Sequence, residues 1–229
     1  MTATGSARRR PDGGGYARGE ETRARIIEAA VQVFGTEGYE RASTRQIAAE
    51  AGVNTPALQY YFYSKEGLHR ACAEYIIGRV QEALRPLFAA AAAGVASGDR
   101  RRAAETLCDL LDAIADTMLT TPNAAGWKRF VARGQADGTG PGIELMREEM
   151  VRPLHETCAA LVGVAIGRPA DDETTKLRTI LVTSQLSVLH TSRTNALCML
   201  GWSEFDPERL AKVKAAIRTH TLAALACGG

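Results

Sequence analysis

Apolar residues recur every three or four positions along most of the chain. From Thr22, the set Ile26, Ile27, Ala30, Val31 and Phe34 lines one side of a helix. Gly35 and Gly38 in "GTEGYE" are expected to stop it. In "ASTRQIAAEAGV", Ser43 is followed three residues later by Gln46, a capping box that starts a short helix at Thr44. Gly52 ends that helix. "VNTPALQYYF" restarts one, with Asn54 or Thr55 as its cap and Pro56 in the first turn, where no N–H is missed.

The rest of the chain keeps the helical period. "EGLHRACAEYIIGRVQEALRPLF" is amphipathic and is expected to kink or close near Pro86. A turn at "GVASGD" precedes a helix from about Arg100 to Thr120, and "TTPN" breaks the chain before "AAGWKRFVAR". "GQADGTGPG" reads as a glycine-rich loop, and further helices cover roughly Ile143 to Ile166, Asp172 to Leu200 and Pro207 to Ala226. No window alternates with period two for long enough to suggest a sheet, so the fold class is all-α.

Two short helices joined by a glycine-containing turn form a helix-turn-helix candidate. Ile47, Ala48 and Ala51, then Val53, then Leu58 with Phe62, can converge into one core. At 100° per residue this leaves Pro56, Ala57, Gln59 and Tyr60 on the outward face of the second helix. Small and amide side chains on an outward face suit a DNA major groove.

Composition changes this picture little. Hydrophobic residues at 45% and charged residues at 24% are ordinary globular values for 229 residues, and a net charge of +2 neither favours nor excludes nucleic acid. Any basic surface must be local. Five dispersed cysteines without a C-x-x-C pair read as free thiols in a reducing compartment. The N-terminus lacks an apolar signal core and no run is long enough to span a bilayer, so a cytoplasmic protein without membrane contact is expected. Residues 1–19 are Arg-, Gly- and Pro-rich and read as a disordered basic arm, either trailing in solvent or following DNA. The domains expected after it are a helix-turn-helix unit over 20–65 and a larger helical domain over 66–229.

The stretch "QYYFYSKEGL" crowds rings, hydroxyls and a lysine together in a chain that is 6% aromatic. Phenols donate to phosphate oxygens and a lysine offers them a point charge, which suits Tyr60, Tyr61 and Lys65 just past a reading helix. In isolation, Tyr60 and Tyr61 could equally be partly buried core residues.

Residues 22 to 68 resemble the N-terminal domain of TetR/AcrR-type transcriptional regulators. The resemblance runs through Ala29-Ala30, Phe34, Gly38-Tyr39, Thr44, Ile47-Ala48, Ala51-Gly52-Val53, Leu58, Phe62, Lys65 and Leu68. It implies that Arg45, Thr55, Pro56, Ala57 and Gln59 lie near base edges, and Thr44, Tyr60, Tyr61 and Lys65 near phosphates. Gln59 departs from the tyrosine usual in the family, and an amide there pairs with adenine. "WKRFVARGQADGTGPGIELMREEMVRPLHETCAALVG", with Gly201-Trp202, resembles the C-terminal domain of the CerR/CecR subgroup. Arg133-Gly134-Gln135 departs from that subgroup's "REQ". The resemblance implies a homodimer formed through the last two long helices and a pocket for a small-molecule effector. In the first of those helices, Leu177, Ile180, Leu181, Ser184 and Val188 repeat at helical spacing.

Pocket candidates are Cys108, Met118, Trp127, Phe130, His190 and Arg193, all of which could equally be core. The four histidines have no metal-ligand spacing, and "GTGPG" lacks the preceding strand of a phosphate loop, so no metal or cofactor is expected. Cys108, Cys158 or Cys198 could act in a redox switch, or be inert buried thiols. The expected function is a ligand-responsive repressor that binds a double-stranded, pseudo-palindromic operator as a dimer and is released by its effector. The competing reading is a helical small-molecule-binding protein or enzyme that never touches DNA, although no nucleophile–base pair supports catalysis.

Overall fold

The computed structural model describes residues 14–119, 125–138 and 140–226, and all regular structure among them is helical. The elements are α1 (Gly14–Glu37), α2 (Thr44–Glu50), α3 (Thr55–Phe62), α4 (Lys65–Ser97), α5 (Arg100–Leu119) and α6 (Ala125–Asp137). There follow α7 (Pro141–Met146), a π turn (Arg147–Val151), α8 (Arg152–Ile166), α9 (Glu173–Thr191), α10 (Arg193–Leu200) and α11 (Pro207–Ala226). No helix among the described residues is long and apolar enough to cross a membrane.

The local start signals act as their chemistry requires. Ser43 accepts the Gln46 N–H at 3.1 Å, Asn54 accepts that of Ala57 at 2.8 Å, and Ser64 accepts that of Gly67 at 3.1 Å. Gly52 turns the chain between α2 and α3 with φ 63°.

The structure differs from the sequence reading at four places, and at Pro86 it keeps the helix without closing it. Residues 14–19 are not an extension of the arm but the first turns of α1, where Thr22 Oγ1 donates to the Arg18 carbonyl at 2.9 Å. An established helix adds residues cheaply. Residues 1–13 lie outside the described set. Helix α4 runs on through Pro86 to Ser97, because Pro86 is exposed and the carbonyl of Glu82, which its missing N–H frees, sits on the solvated side. Gly134 is a helical packing residue rather than part of a loop. A Cβ there would collide with the Ile143 side chain, so the departure from "REQ" makes room for Ile143. The expected helix from Ile143 to Ile166 carries the π turn, where Pro153 has no N–H for the Glu149 carbonyl. Gln81 Nε2 supplies that hydrogen bond instead, at 3.1 Å. The expected helix from Asp172 to Leu200 breaks at Ser192 (φ −102°, ψ 30°).

Two cores result. The first gathers α1–α3, the N-terminal half of α4 down to Ile77, and Phe130 and Met146 from α6 and α7. The second gathers the rest of α4 with α5, α8, α9 and α11. Helix α4 belongs to both. The first core therefore reaches well past residue 65 and ties the helix-turn-helix unit to α6 and α7. Helix α6 lies directly on α1: a Cβ on Gly35 would stand 2.9 Å from the Gly126 carbonyl oxygen, and Arg129 Nη2 donates to Gln32 Oε1 at 2.9 Å.

Candidate DNA-binding site

Helices α2 and α3 meet through Ile47, Ala48, Ala51, Leu58 and Phe62, all buried, with Val53 half-buried in the turn. Burying these side chains fixes which way α3 faces. Its opposite side carries Pro56 and Gln59, both exposed, with Thr55 and Ala57 half-buried beside them. Tyr60 is 78% exposed and meets the half-buried Tyr61 edge-on, with ring centroids 5.3 Å apart. The first turns of α1 pass the Tyr61 hydroxyl, which would lie 3.8 Å from a Cβ on Gly19. At the start of α2, Arg45 is exposed and Thr44 half-buried. The candidate groups thus gather around α3 and the N-terminal end of α2.

Lys65 is tied into the fold. Its Nζ donates to the Glu40 carbonyl at 3.1 Å and lies 4.7 Å from the Tyr39 ring centroid. Next to it, the Tyr39 hydroxyl donates to Glu66 Oε1 at 2.9 Å. Burial, then that carboxylate, pushes the Tyr39 phenol up to about 12, while backbone and Ser64 hydrogen bonds hold Glu66 below the usual range. Together these contacts fasten the segment before α2 to the start of α4 and so hold the reading unit in place. An ammonium has three N–H donors, and one carbonyl uses only one of them. Lys65→Ala is expected to weaken DNA binding similarly on every sequence and to lower the salt slope by about 1 for each protomer bound. It should also lower thermal stability through the lost Tyr39 and Glu40 contacts. Titrating DNA affinity against salt checks the first; a changed sequence preference at constant slope would remove the phosphate role.

The six pocket candidates do not share one location. Phe130 is a first-core residue, 2% exposed and packed against Phe34 and His69 at 6.2 and 4.7 Å between ring centroids. Trp127 is half-buried at the edge of that core. Cys108 is buried in the second core, its thiol pushed up to about 11 by desolvation. Met118, His190 and Arg193 do converge at the end of α5. His190 bonds the Met118 backbone, and Arg193 Nη1 donates to the Leu119 carbonyl at 3.2 Å. Burial, then the charges of Lys128 and Arg193, lower the His190 pKa. Among the other thiols, burial pushes Cys158 up to about 12, Cys198 is exposed, and Cys227 lies outside the described residues.

One exposed aromatic at this site escaped the sequence reading. Tyr63 is 89% exposed immediately after α3. Helix α3 ends at Phe62 and Ser64 caps α4, so this single residue reverses the chain between them.

A capped pair of short helices, locked onto a third and presenting an amide and phenols, defines a helix-turn-helix DNA-binding protein. The model of bacterial regulatory proteins of the tetR family matches residues 26–72, and that of the C-terminal domain of the HTH-type transcriptional dual regulator CecR matches residues 103–227. The chain is 31% identical to the HTH-type transcriptional dual regulator CecR of Shigella flexneri over 206 residues, covering 89% of this chain and 91% of that protein. It therefore belongs to the TetR family of transcriptional regulators, with a C-terminal domain of the CecR type. The probable HTH-type transcriptional regulator YttP of Bacillus subtilis is 30% identical over 49% of each chain. In fold, the chain is similar to FadR of Bacillus subtilis in complex with stearoyl-CoA, with a TM-score of 0.59 at 16% identity over 88% of this chain and 98% of that one. It is likewise similar to PfmR of Thermus thermophilus, with a TM-score of 0.54 at 22% identity over 88% and 97%.

Proposed function

We propose that the protein is a homodimeric repressor that binds a pseudo-palindromic operator and is released by a small-molecule effector. The observation that carries the DNA half of this reading is the face of α3 on which Pro56, Gln59 and Tyr60 stand exposed, opposite the buried Leu58 and Phe62. Two such helices, one per protomer, would enter successive major grooves about 34 Å apart.

The dimer is supported by α9. Leu177, Ile180, Leu181 and Val188 are 55%, 59%, 67% and 57% exposed along one helix, an apolar stripe that water should not face. Beside it, Ser184, Gln185 and Val188 of α9 and Ala216, Ile217 and His220 of α11 line an open groove of about 500 Å³. Helices α9 and α11 of a second copy would fill it, making a four-helix interface.

Effector control is supported by the α1–α6 contact, through which a change in the second domain reaches the reading unit. A ligand that favours the wrong separation of the two α3 helices weakens DNA binding by its differential affinity for the two shapes. The structure of FadR in complex with stearoyl-CoA supports a small-molecule effector for a protein of this fold. The Shigella relative carries the name dual regulator, and the same docking would serve activation.

Selection of duplexes from a random library by the purified protein tests the reading directly. Enrichment of a two-fold symmetric site is expected, and no enrichment would sink it. The same selection reads out Gln59. An amide facing the groove pairs with adenine N6 and N7, worth about 1–3 kcal/mol of discrimination. Gln59→Ala is expected to relax one base pair per half-site while leaving nonspecific affinity and its salt dependence nearly unchanged. Identical preferred sites for wild type and variant would take Gln59 out of the reading set.

A further inference from the structure

Tyr63 sits where glycine belongs. Its φ of 59° and ψ of −45°, with the Ser64 N–H donating to the Phe62 carbonyl at 2.6 Å, describe a γ-turn of the rare, strained hand. It is the only non-glycine residue with positive φ among those described. The Tyr63 N–H still donates to the Gln59 carbonyl at 2.8 Å, so its amide stays on the axis of α3, one turn beyond Gln59. Glycine would hold this backbone without strain, whereas a tyrosine there is destabilising.

Nothing among the described residues offsets that strain. The side chain is 89% exposed, more than the neighbouring Tyr60 at 78%. Tyr39, Tyr60 and Tyr61 each have a ring partner in the fold, while the Tyr63 ring and hydroxyl have none among the described residues. A side chain that costs stability and meets no partner among the described residues is accounted for by a contact outside the fold.

We propose that Tyr63 is a DNA-backbone contact. Its hydroxyl donates to a phosphate oxygen and its ring covers the adjoining deoxyribose, beside the base pair that Gln59 faces. Phosphate and sugar contacts of this kind set register and carry no sequence information. The turn fixes the backbone beneath the ring before DNA arrives, so less freedom is lost on docking. The proposal rests on the reading of α3 as the recognition helix.

Tyr63→Gly and Tyr63→Phe test it, with the duplex that the wild type enriches from a random library. Tyr63→Gly is expected to keep or raise the thermal midpoint by a few degrees, because the turn relaxes. It should bind every duplex about tenfold more weakly per half-site, the loss of one hydrogen bond to a charged group in each protomer. The salt slope should not change, since no cation is removed. Tyr63→Phe, which keeps the ring, should lose a smaller factor. If Tyr63→Gly binds like the wild type, Tyr63 is no contact. If it lowers the midpoint and the affinity together, the ring serves the fold and the proposal is overturned. A wild type that enriches no duplex removes the DNA-binding reading of α3, and this contact with it.

Discussion

Leu181→Glu is expected to turn the protein from a dimer into a monomer at micromolar concentration. Leu181 is 67% exposed in the single chain and stands in the middle of the α9 stripe, between Leu177 and Val188. In a four-helix interface it would be desolvated, and a carboxylate buried there without a partner costs several kcal/mol. Interfaces between obligate partners are large and apolar, so one buried charge per chain, repeated by symmetry, acts twice on each dimer. Sedimentation of the full chain, 24.5 kDa per protomer, reads the outcome. Leu181→Met, which keeps volume and polarity, should remain dimeric, and a helical circular-dichroism spectrum of the glutamate variant shows that it has dissociated rather than unfolded. Operator binding should fall by orders of magnitude in the monomer, because the second half-site is no longer held at high local concentration. A glutamate variant that still sediments as a dimer would place the interface elsewhere. Cutting the chain at residue 66 is a poor substitute for this test. The first core includes Phe130 and Met146, so removing α1–α3 would strip their partners away.

What could be read from the sequence was what the chain decides locally. Ser43 and Asn54 announce their helices because each cap is made with a backbone N–H three residues away. The periodicity of Ile47, Leu58 and Phe62 named the buried side of the two short helices, and with it the outward position of Gln59. Features settled by distant partners were hidden. Pro86 reads as a kink or a stop, but an exposed proline deep in a helix held by two cores leaves the helix running on to Ser97. Gly134 looked like a loop residue until Ile143 was found in the space its side chain would take. The pocket candidates mislead for a related reason. An aromatic such as Phe130 has the same helical spacing whether it faces a ligand or, as here, Phe34 and His69. Tyr63 lay in plain view, but its role depends on a backbone angle that no periodicity encodes.

The same hidden class includes His69, and it should make the protein acid-sensitive. His69 is 3% exposed, enclosed edge-on by Phe34 and Tyr39 at 4.8 and 4.9 Å between ring centroids and flanked by Phe130 at 4.7 Å. Its Nδ1 accepts the Gly142 N–H at 3.1 Å, so the ring is neutral with its proton on Nε2. Desolvation, and then the charge of Lys65, lower its pKa from 6.5 to about 4. In the unfolded chain the imidazole takes up its proton near 6.5, and in the fold it resists until about 4. The unfolded state therefore binds more protons between those values, and stability falls as pH falls through that window. The full loss is about 3 kcal/mol, of which about 2 kcal/mol should appear between pH 7 and pH 5. Denaturant unfolding of wild type and His69→Gln at both pH values, at one fixed protein concentration, isolates the histidine from the carboxylates. The variant should be less stable at neutral pH and lose less on acidification; equal losses would mean that His69 is not the sensitive group. Protonation would also put a donor where the Gly142 N–H now points and loosen α7 from α4 at the junction beneath the reading unit. DNA affinity should consequently fall over the same window in the wild type and fall less in the variant.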